Sequence, residues 1–433
     1  MIFLVNKIQE AISSDYFKNK MNEDITIYEG KFCIYLDKRY RCYGRVYMKM
    51  DSSMSINFSA KCYYINENLD PLFYFDDALI EILGYQPFNV TIKSISKGII
   101  KGYANNSFIK SKSVLVDYID FNIVNFDKIN GSLISKNQNI FAGRLEFDIN
   151  EYKIIIDKRY DYNKDLKERL ISNSGFLITH VGRIERKNKK SFKSSNSLKM
   201  IDRLIYALTF LCGRQISIPM LMGYSNNKNN YRLFVQTPSS ECAYLPSWSD
   251  TISNHRNIEK YFSLFLKKLE DEYFDTSIKK IIDWYIEPSA TLENNIITIQ
   301  IALESLSYII TVKIFKILND FEFDKNSASK NIKIALDKCR ILYGKFDLDM
   351  FDVEIQSRFN DGVDLLTYLR NKVVHPLRKD NRCYLDYEDI WNIIQIGSRY
   401  IELLVLYFIE YKGEYSNRTK ERSFGEIETV PWK

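Results

Sequence analysis

The feature that most constrains this chain is a change of period in its apolar residues. Through the first half, short runs rich in Tyr, Phe, Ile and Val alternate apolar with polar positions, the two-residue period of half-buried strands. From Asn257 the spacing becomes i, i+3, i+4, i+7, carried by Ile258, Tyr261, Phe262, Phe265, Leu266 and Leu269. That is the period of an amphipathic helix. Strands first and helices afterwards predict an α+β chain with segregated layers. The expected division is a β-rich region over 1–250, a helical bundle over 257–412 and a short tail over 413–433.

Within the first region, strands are expected at 25–36, 41–48, 55–65, 90–99, 113–126, 143–149, 152–156 and 175–184. The segment 76–83 reads as a short helix, and Gly84 and Asn130-Gly131 mark turns. Repeated antiparallel strands of this kind make a sandwich or a partly open barrel. A basic, polar link follows at 186–199, then a helix at 198–212 and two strands at 216–224 and 231–236. The link reads as a solvated loop, with Phe192 among its lysines as a base-stacking alternative. The polar stretch 237–254 carries Pro238, Pro246 and Trp248 and reads as the domain boundary. Beyond it, Asn257 is a candidate cap, and about five helices are expected: 257–269, 291–318, 327–342, one ending at His375, and 386–411. The dense apolar content of the last, with Ile390, Ile394, Leu403 and Leu404, marks burial or a dimer surface.

Charge and residue usage exclude several chemistries. The net charge of +6 on 433 residues permits nucleic-acid contact without requiring it. Seven scattered cysteines, odd in number and without a C-x-x-C, predict reduced thiols and no structural zinc. Only three histidines occur, with no H-x-x-H or H-E-x-x-H, so neither a metal centre nor a cofactor is expected. Neither a P-loop nor a G-x-S-x-G elbow is present. The short apolar start at 1–7 is too brief for a secretory signal, and no long uncharged apolar run is read. A cytoplasmic protein without a membrane span is expected. The terminal Pro431-Trp432 suggests a tail that docks.

One compact constellation carries chemistry: Arg370-Asn371-Lys372-Val373-Val374-His375, followed by Pro376. Asp361 or Asp364 is placed to cap the preceding helix, and Leu365, Leu366 and Leu369 give it an apolar stripe. Asn371 and His375 lie four apart on one face. Arg370 and His375 are roughly 140° apart around an ideal helix, so the arginine must curl round or the helix must loosen. Pro376 favours loosening, because the residue before a proline is pushed out of the helical region. His375 then ends the helix, where the dipole favours positive charge. A guanidinium grips phosphate and an imidazole moves protons near neutral pH. The bland alternative is a surface ion pair at Arg370 and a capping role for His375.

This stretch resembles the HEPN superfamily, and within it the Apea-like HEPN proteins of abortive phage defence. Leu365 to Pro376 carry the resemblance, with Gln300 to Leu306 similar to a second helix of the group. It spans residues 257–412. It implies a short up-and-down helical bundle, commonly dimeric, and in many members a metal-independent endoribonuclease whose two motifs face each other. Carried over by position, Arg370 and His375 would be the catalytic pair, with Asn371 beside them. Other members only bind, so a non-catalytic interaction or RNA-binding protein is the alternative.

Three further expectations attach to this reading. Glu304 sits among Ile301, Leu303 and Leu306, where a buried carboxylate needs a partner and would orient Arg370 or His375. Arg378, Lys379 and Arg382 would extend a positive track for an RNA backbone, or else form a solvated loop. The β-rich region would restrain the nuclease until a trigger, such as a phage-derived protein, shifts the population.

Overall fold

The structure is a computed structural model and describes residues 8–62, 78–127, 130–249, 254–286, 291–375, 386–420 and 427–433. The chain divides into two compact units. One comprises Met1–Ile205 with Gln215–Tyr244, and the other Tyr206–Arg214 with Leu245–Lys433. The chain therefore changes units within the helix Leu198–Cys212.

The first unit begins with a closed six-stranded barrel. Ile25–Tyr35 pairs with Arg39–Met48, then Ile56–Cys62, Ile99–Ala104, Phe88–Ser96 and Ala78–Glu81, which pairs back to the first strand. Alternate side chains such as Ile34, Val46, Ile56 and Val90 fill the interior, as the two-residue period requires. The β-rich expectation holds, but the barrel is closed rather than partly open. The closing strand lies where a short helix was expected. Residues 78–81 are too few to show a period, and pairing on both edges overrides their local preference.

A nine-stranded sheet follows in the order Gln9–Glu10, Ser132–Lys136, Asn139–Ile149, Tyr152–Lys158, Ile178–Arg186, Tyr118–Val124, Ser217–Ser225, Lys228–Val235 and Phe108–Lys110. All neighbours are antiparallel except the first pair. A buried fork anchors the N-terminal segment to this sheet. Arg144 donates from Nε and Nη2 to the two oxygens of Asp157 at 2.7 and 2.6 Å, and from Nη2 to the Glu10 carbonyl at 3.0 Å. The Ile12 amide donates to Asp157 Oδ2 at 2.7 Å. The basic link is not a simple loop: Phe192–Lys193 pairs with Leu115–Val116, and Phe192 is buried against Tyr152. It offers no face to a base.

Cys42 and Cys62 stand opposite each other on paired barrel strands and form a disulfide. This corrects the expectation of reduced thiols. The pairing depends on strand register, which cysteine spacing does not disclose. Cys33, Cys212, Cys242 and Cys339 are free.

The second unit is helical. Its helices are His255–Lys268, Glu272–Ile286, Leu292–Tyr308, Asp320–Lys325, Ala328–Lys338, Val353–Arg358, Gly362–Val374 and Tyr387–Phe408. Asn254, not Asn257, caps the first, accepting from the Arg256 amide at 3.0 Å. The helix Glu272–Ile286 was not expected; Asp271 accepts from the Tyr273 amide at its start. Leu292–Tyr308 packs against four others: 272–286, 328–338, 362–374 and 387–408. It continues as a π-helical turn over Ile309–Ile314. The stretch Leu292–Ile314 has the length and apolarity to span a membrane, with mean hydropathy 1.4, yet 56% of that window is buried. It serves as the core helix of this unit.

Close approach between helices rests on two glycines. A Cβ at Gly397 would lie 2.5 Å from Ile299 Cγ2, and one at Gly362 would lie 2.7 Å from Ile396 Cγ2. On Tyr387–Phe408, Ile394, Leu403 and Leu404 are buried inside the unit. That half of the alternative holds for them, and they are not a dimer surface. Phe210, from the 206–214 segment, sits in an aromatic cluster with Trp248, Tyr261, Phe265 and Tyr285. The C-terminal tail docks as expected. Glu414–Tyr415 pairs with Glu428–Thr429, and Trp432 Nε1 donates to the Tyr411 carbonyl at 2.7 Å.

Candidate functional site

The helix Gly362–Val374 is fixed at its N-terminus by two acids and one lysine. Asp361 caps it, accepting from the Asp364 amide at 2.9 Å. Lys333 bridges Asp361 and Asp364 at 2.7 and 2.6 Å. Val363, Leu365, Leu366 and Leu369 are buried, so one stripe packs inward while the C-terminal turn emerges.

That turn carries the motif. His375 is the C-cap, with φ −127° and ψ 67°, and its amide donates to the Asn371 carbonyl at 2.9 Å. The helix loosens there, as the following proline predicts. Asn371 and His375 are exposed and Arg370 is half-buried. Arg370 Nη1 donates to Asn371 Oδ1 at 3.1 Å, while its buried Nε has no hydrogen-bond partner among the described residues. The structure thus brings Arg370 to Asn371. Among the described residues, no hydrogen bond ties either side chain to the imidazole of His375.

A cationic group next to the motif was not anticipated. Arg358 Nη2 donates to the Tyr368 hydroxyl at 3.1 Å, and Lys372 Nζ lies 5.0 Å from the centre of the same ring. Tyr368, Lys372 and His375 follow i, i+4, i+7 spacing, which puts them on one helix face. That spacing was visible in the sequence. The arrangement offers guanidinium, ammonium and imidazole groups on one end of a helix, suited to holding a phosphate and moving a proton.

Glu304 accepts from Gln300 Nε2 at 2.8 Å and lines a cavity of about 330 Å³ with Lys280, Trp284 and Tyr308. Its hydrogen-bond partner is therefore Gln300 rather than Arg370 or His375. Arg378, Lys379 and Arg382 lie outside the described residues. His180 is buried between Phe126 and Tyr162 in the sheet. No group of three or more His, Cys, Asp or Glu side chains able to hold a metal ion occurs among the described residues.

Comparison with known proteins gives a consistent relative. The YopA central-domain model matches residues 111–243, and the YopA C-terminal-domain model matches 271–429. The SPbeta prophage-derived uncharacterized protein YopA of Bacillus subtilis (strain 168) is 29% identical over 450 residues, covering 98% of each chain. This chain is similar to YopA. The first model falls on the nine-stranded sheet and the second on the helical unit from Glu272 onward. The barrel lies outside both. No solved structure matches.

Proposed function

We propose that the protein is a metal-independent endoribonuclease of HEPN type, acting in bacterial anti-phage defence by abortive infection. The observation that carries this reading is the exposed C-terminal turn, which ends at His375 and holds Arg370 hydrogen-bonded to Asn371. In the reaction the ribose 2′-hydroxyl attacks the adjacent phosphorus in line. The oxygen–phosphorus bond to the 5′ leaving group breaks, giving a 2′,3′-cyclic phosphate and a 5′-hydroxyl. His375 moves the proton, and the Arg370 guanidinium balances charge growing on the phosphoryl oxygens. Single-stranded RNA is the natural substrate, because only a flexible backbone reaches in-line geometry. The prophage origin of the Bacillus relative fits this setting. The β-rich unit is assigned the restraint of this activity, and the cytoplasm is its place of action.

The alternative, a non-catalytic RNA-binding or interaction protein, draws on one observation. The imidazole of His375 makes no hydrogen bond among the described residues, so nothing there orients it for proton transfer. The deciding experiment incubates purified full-length protein with single-stranded RNA in EDTA. Wild type should yield cyclic-phosphate ends and His375→Ala should not. Equal cleavage by both, or none by either together with RNA binding, removes the nuclease reading.

A further inference from the structure

We propose that the outer face of the barrel is a docking surface for single-stranded RNA, centred on Tyr43 and the cations around it. The choice of RNA rests on the nuclease reading above, while the surface itself does not involve His375. The strands Ile25–Tyr35, Arg39–Met48 and Ile56–Cys62 lie side by side in that order. Phe32, Cys42, Val46, Phe58 and Ala60 point inward and are buried, so the alternate positions face out. The charged residues on these strands are Lys31, Arg39, Arg41, Arg45 and Lys61, against the one carboxylate of Glu29. Register gathers them round one ring. Tyr43 stands opposite Lys31 on one neighbouring strand and Lys61 on the other. Arg41 and Arg45 lie two residues before and after it, on the same face of its own strand. Tyr43 is 51% exposed.

Ion pairing leaves this face positive. Asp24 balances Arg45 at 3.4 Å and Glu81 balances Arg39 at 3.7 Å. Lys31, Arg41 and Lys61 form no ion pair among the described residues. A cavity of about 390 Å³ is lined by Lys31, Arg41 and Tyr43, together with Phe32, Cys33 and Cys42. Drug-sized ligands take roughly 300–1,000 Å³, so one base fits. The neighbouring strand Ile99–Ala104 continues the pattern, with Lys101 opposite Ser59 and the 40% exposed Tyr103 opposite Asn57. Cations set among exposed rings match a phosphate backbone whose bases are free to stack. A duplex keeps its base faces covered, so it would meet the cations and not the ring. An acidic peptide likewise pairs with the cations and leaves Tyr43 without a partner.

The test is fluorescence anisotropy of labelled oligouridine with the full-length His375→Ala protein, so that binding is read apart from cleavage. The single strand should bind more tightly than an RNA duplex of the same length. Three phosphate contacts should give log K a slope of about −2 against log salt concentration. Replacing Lys31 and Lys61 together by Gln should flatten that slope by about 1.4. Tyr43→Ala should weaken binding about fivefold or more, and Tyr43→Phe, which keeps the ring, should restore it. These three positions are exposed, so the variants leave the barrel core untouched. Binding by His375→Ala with no cleavage by wild type removes the nuclease reading and leaves this surface standing. Affinity and salt slope unchanged in both the lysine and the Tyr43→Ala variants overturn the proposal. So does competition by polyglutamate as strong as by unlabelled oligouridine, or tighter binding of duplex or of oligothymidine.

Discussion

Arg370 donates from Nη1 to Oδ1 of Asn371 at 3.1 Å, so the guanidinium is held by its own chain neighbour while its Nε has no partner among the described residues. The planar fork is thereby turned before any substrate arrives. Arg370→Lys should lose at least tenfold in RNA cleavage, because a point charge cannot reproduce a two-pronged grip. Asn371→Ala should lose less, since it frees the arginine without removing it. Cleavage rates on a labelled single-stranded RNA check both. Full activity in Arg370→Lys removes the bidentate role.

One motif supplies one imidazole, whereas this reaction uses both a base and an acid. The protein should therefore be at least a dimer, with the two His375 side chains at one cleft. Exposed Val374 and Tyr387 close to the motif in sequence suit such a contact. Mixing His375→Ala with Arg370→Ala subunits should restore part of the activity. A fully active monomer by light scattering excludes the shared cleft.

His180 predicts acid sensitivity. Burial, with the Lys158 charge adding to it, holds its imidazole down at about 3, against an ordinary value of 6.5. Below pH 6.5 the unfolded chain takes up a proton that the folded protein refuses. Stability therefore falls with pH by about 1.4 kcal/mol per unit, and this loss ends near pH 3. Above pH 6.5 the residue adds no slope. Urea unfolding of His180→Phe between pH 6.5 and 5 should show a flatter dependence than wild type. An identical slope counts against this account.

The Arg144–Asp157 fork should matter most when only half of it is removed. Arg144→Met leaves a fully buried carboxylate unpaired and should cost about 3–5 kcal/mol in chemical denaturation. Adding Asp157→Leu should recover most of that loss. A double variant no more stable than the single one argues that the fork itself supplies the stability.

Legibility in the sequence followed local period. The helix Leu198–Cys212 was readable to its ends because Ile201, Leu204 and Leu208 repeat at helical spacing. The helix Glu272–Ile286 carried the same signal in Ile278, Ile281 and Ile282, with Asp271 before it, and was readable too. Ala78–Glu81 was not, because four residues hold no period and only closure of the barrel makes them a strand. Cys42 facing Cys62 is likewise a product of register. At the motif, the loosening before Pro376 was legible. The grip of Arg370 on Asn371 was not, because it depends on side-chain rotamers.

The nine residues 206–214 are numbered among the strands but structurally belong to the helices. Phe210 is fully buried, and its ring packs near Trp248, Tyr261, Phe265 and Tyr285, all later in the chain. A fragment starting at Leu245 would consequently inherit a hole where that ring belongs, a defect comparable to a large-to-small core substitution of about 3–5 kcal/mol. Proteolysis between the halves thus cannot release an intact helical half. The integrity of the helical unit therefore depends on a segment that lies upstream of the strands Ser217–Ser225 and Lys228–Val235.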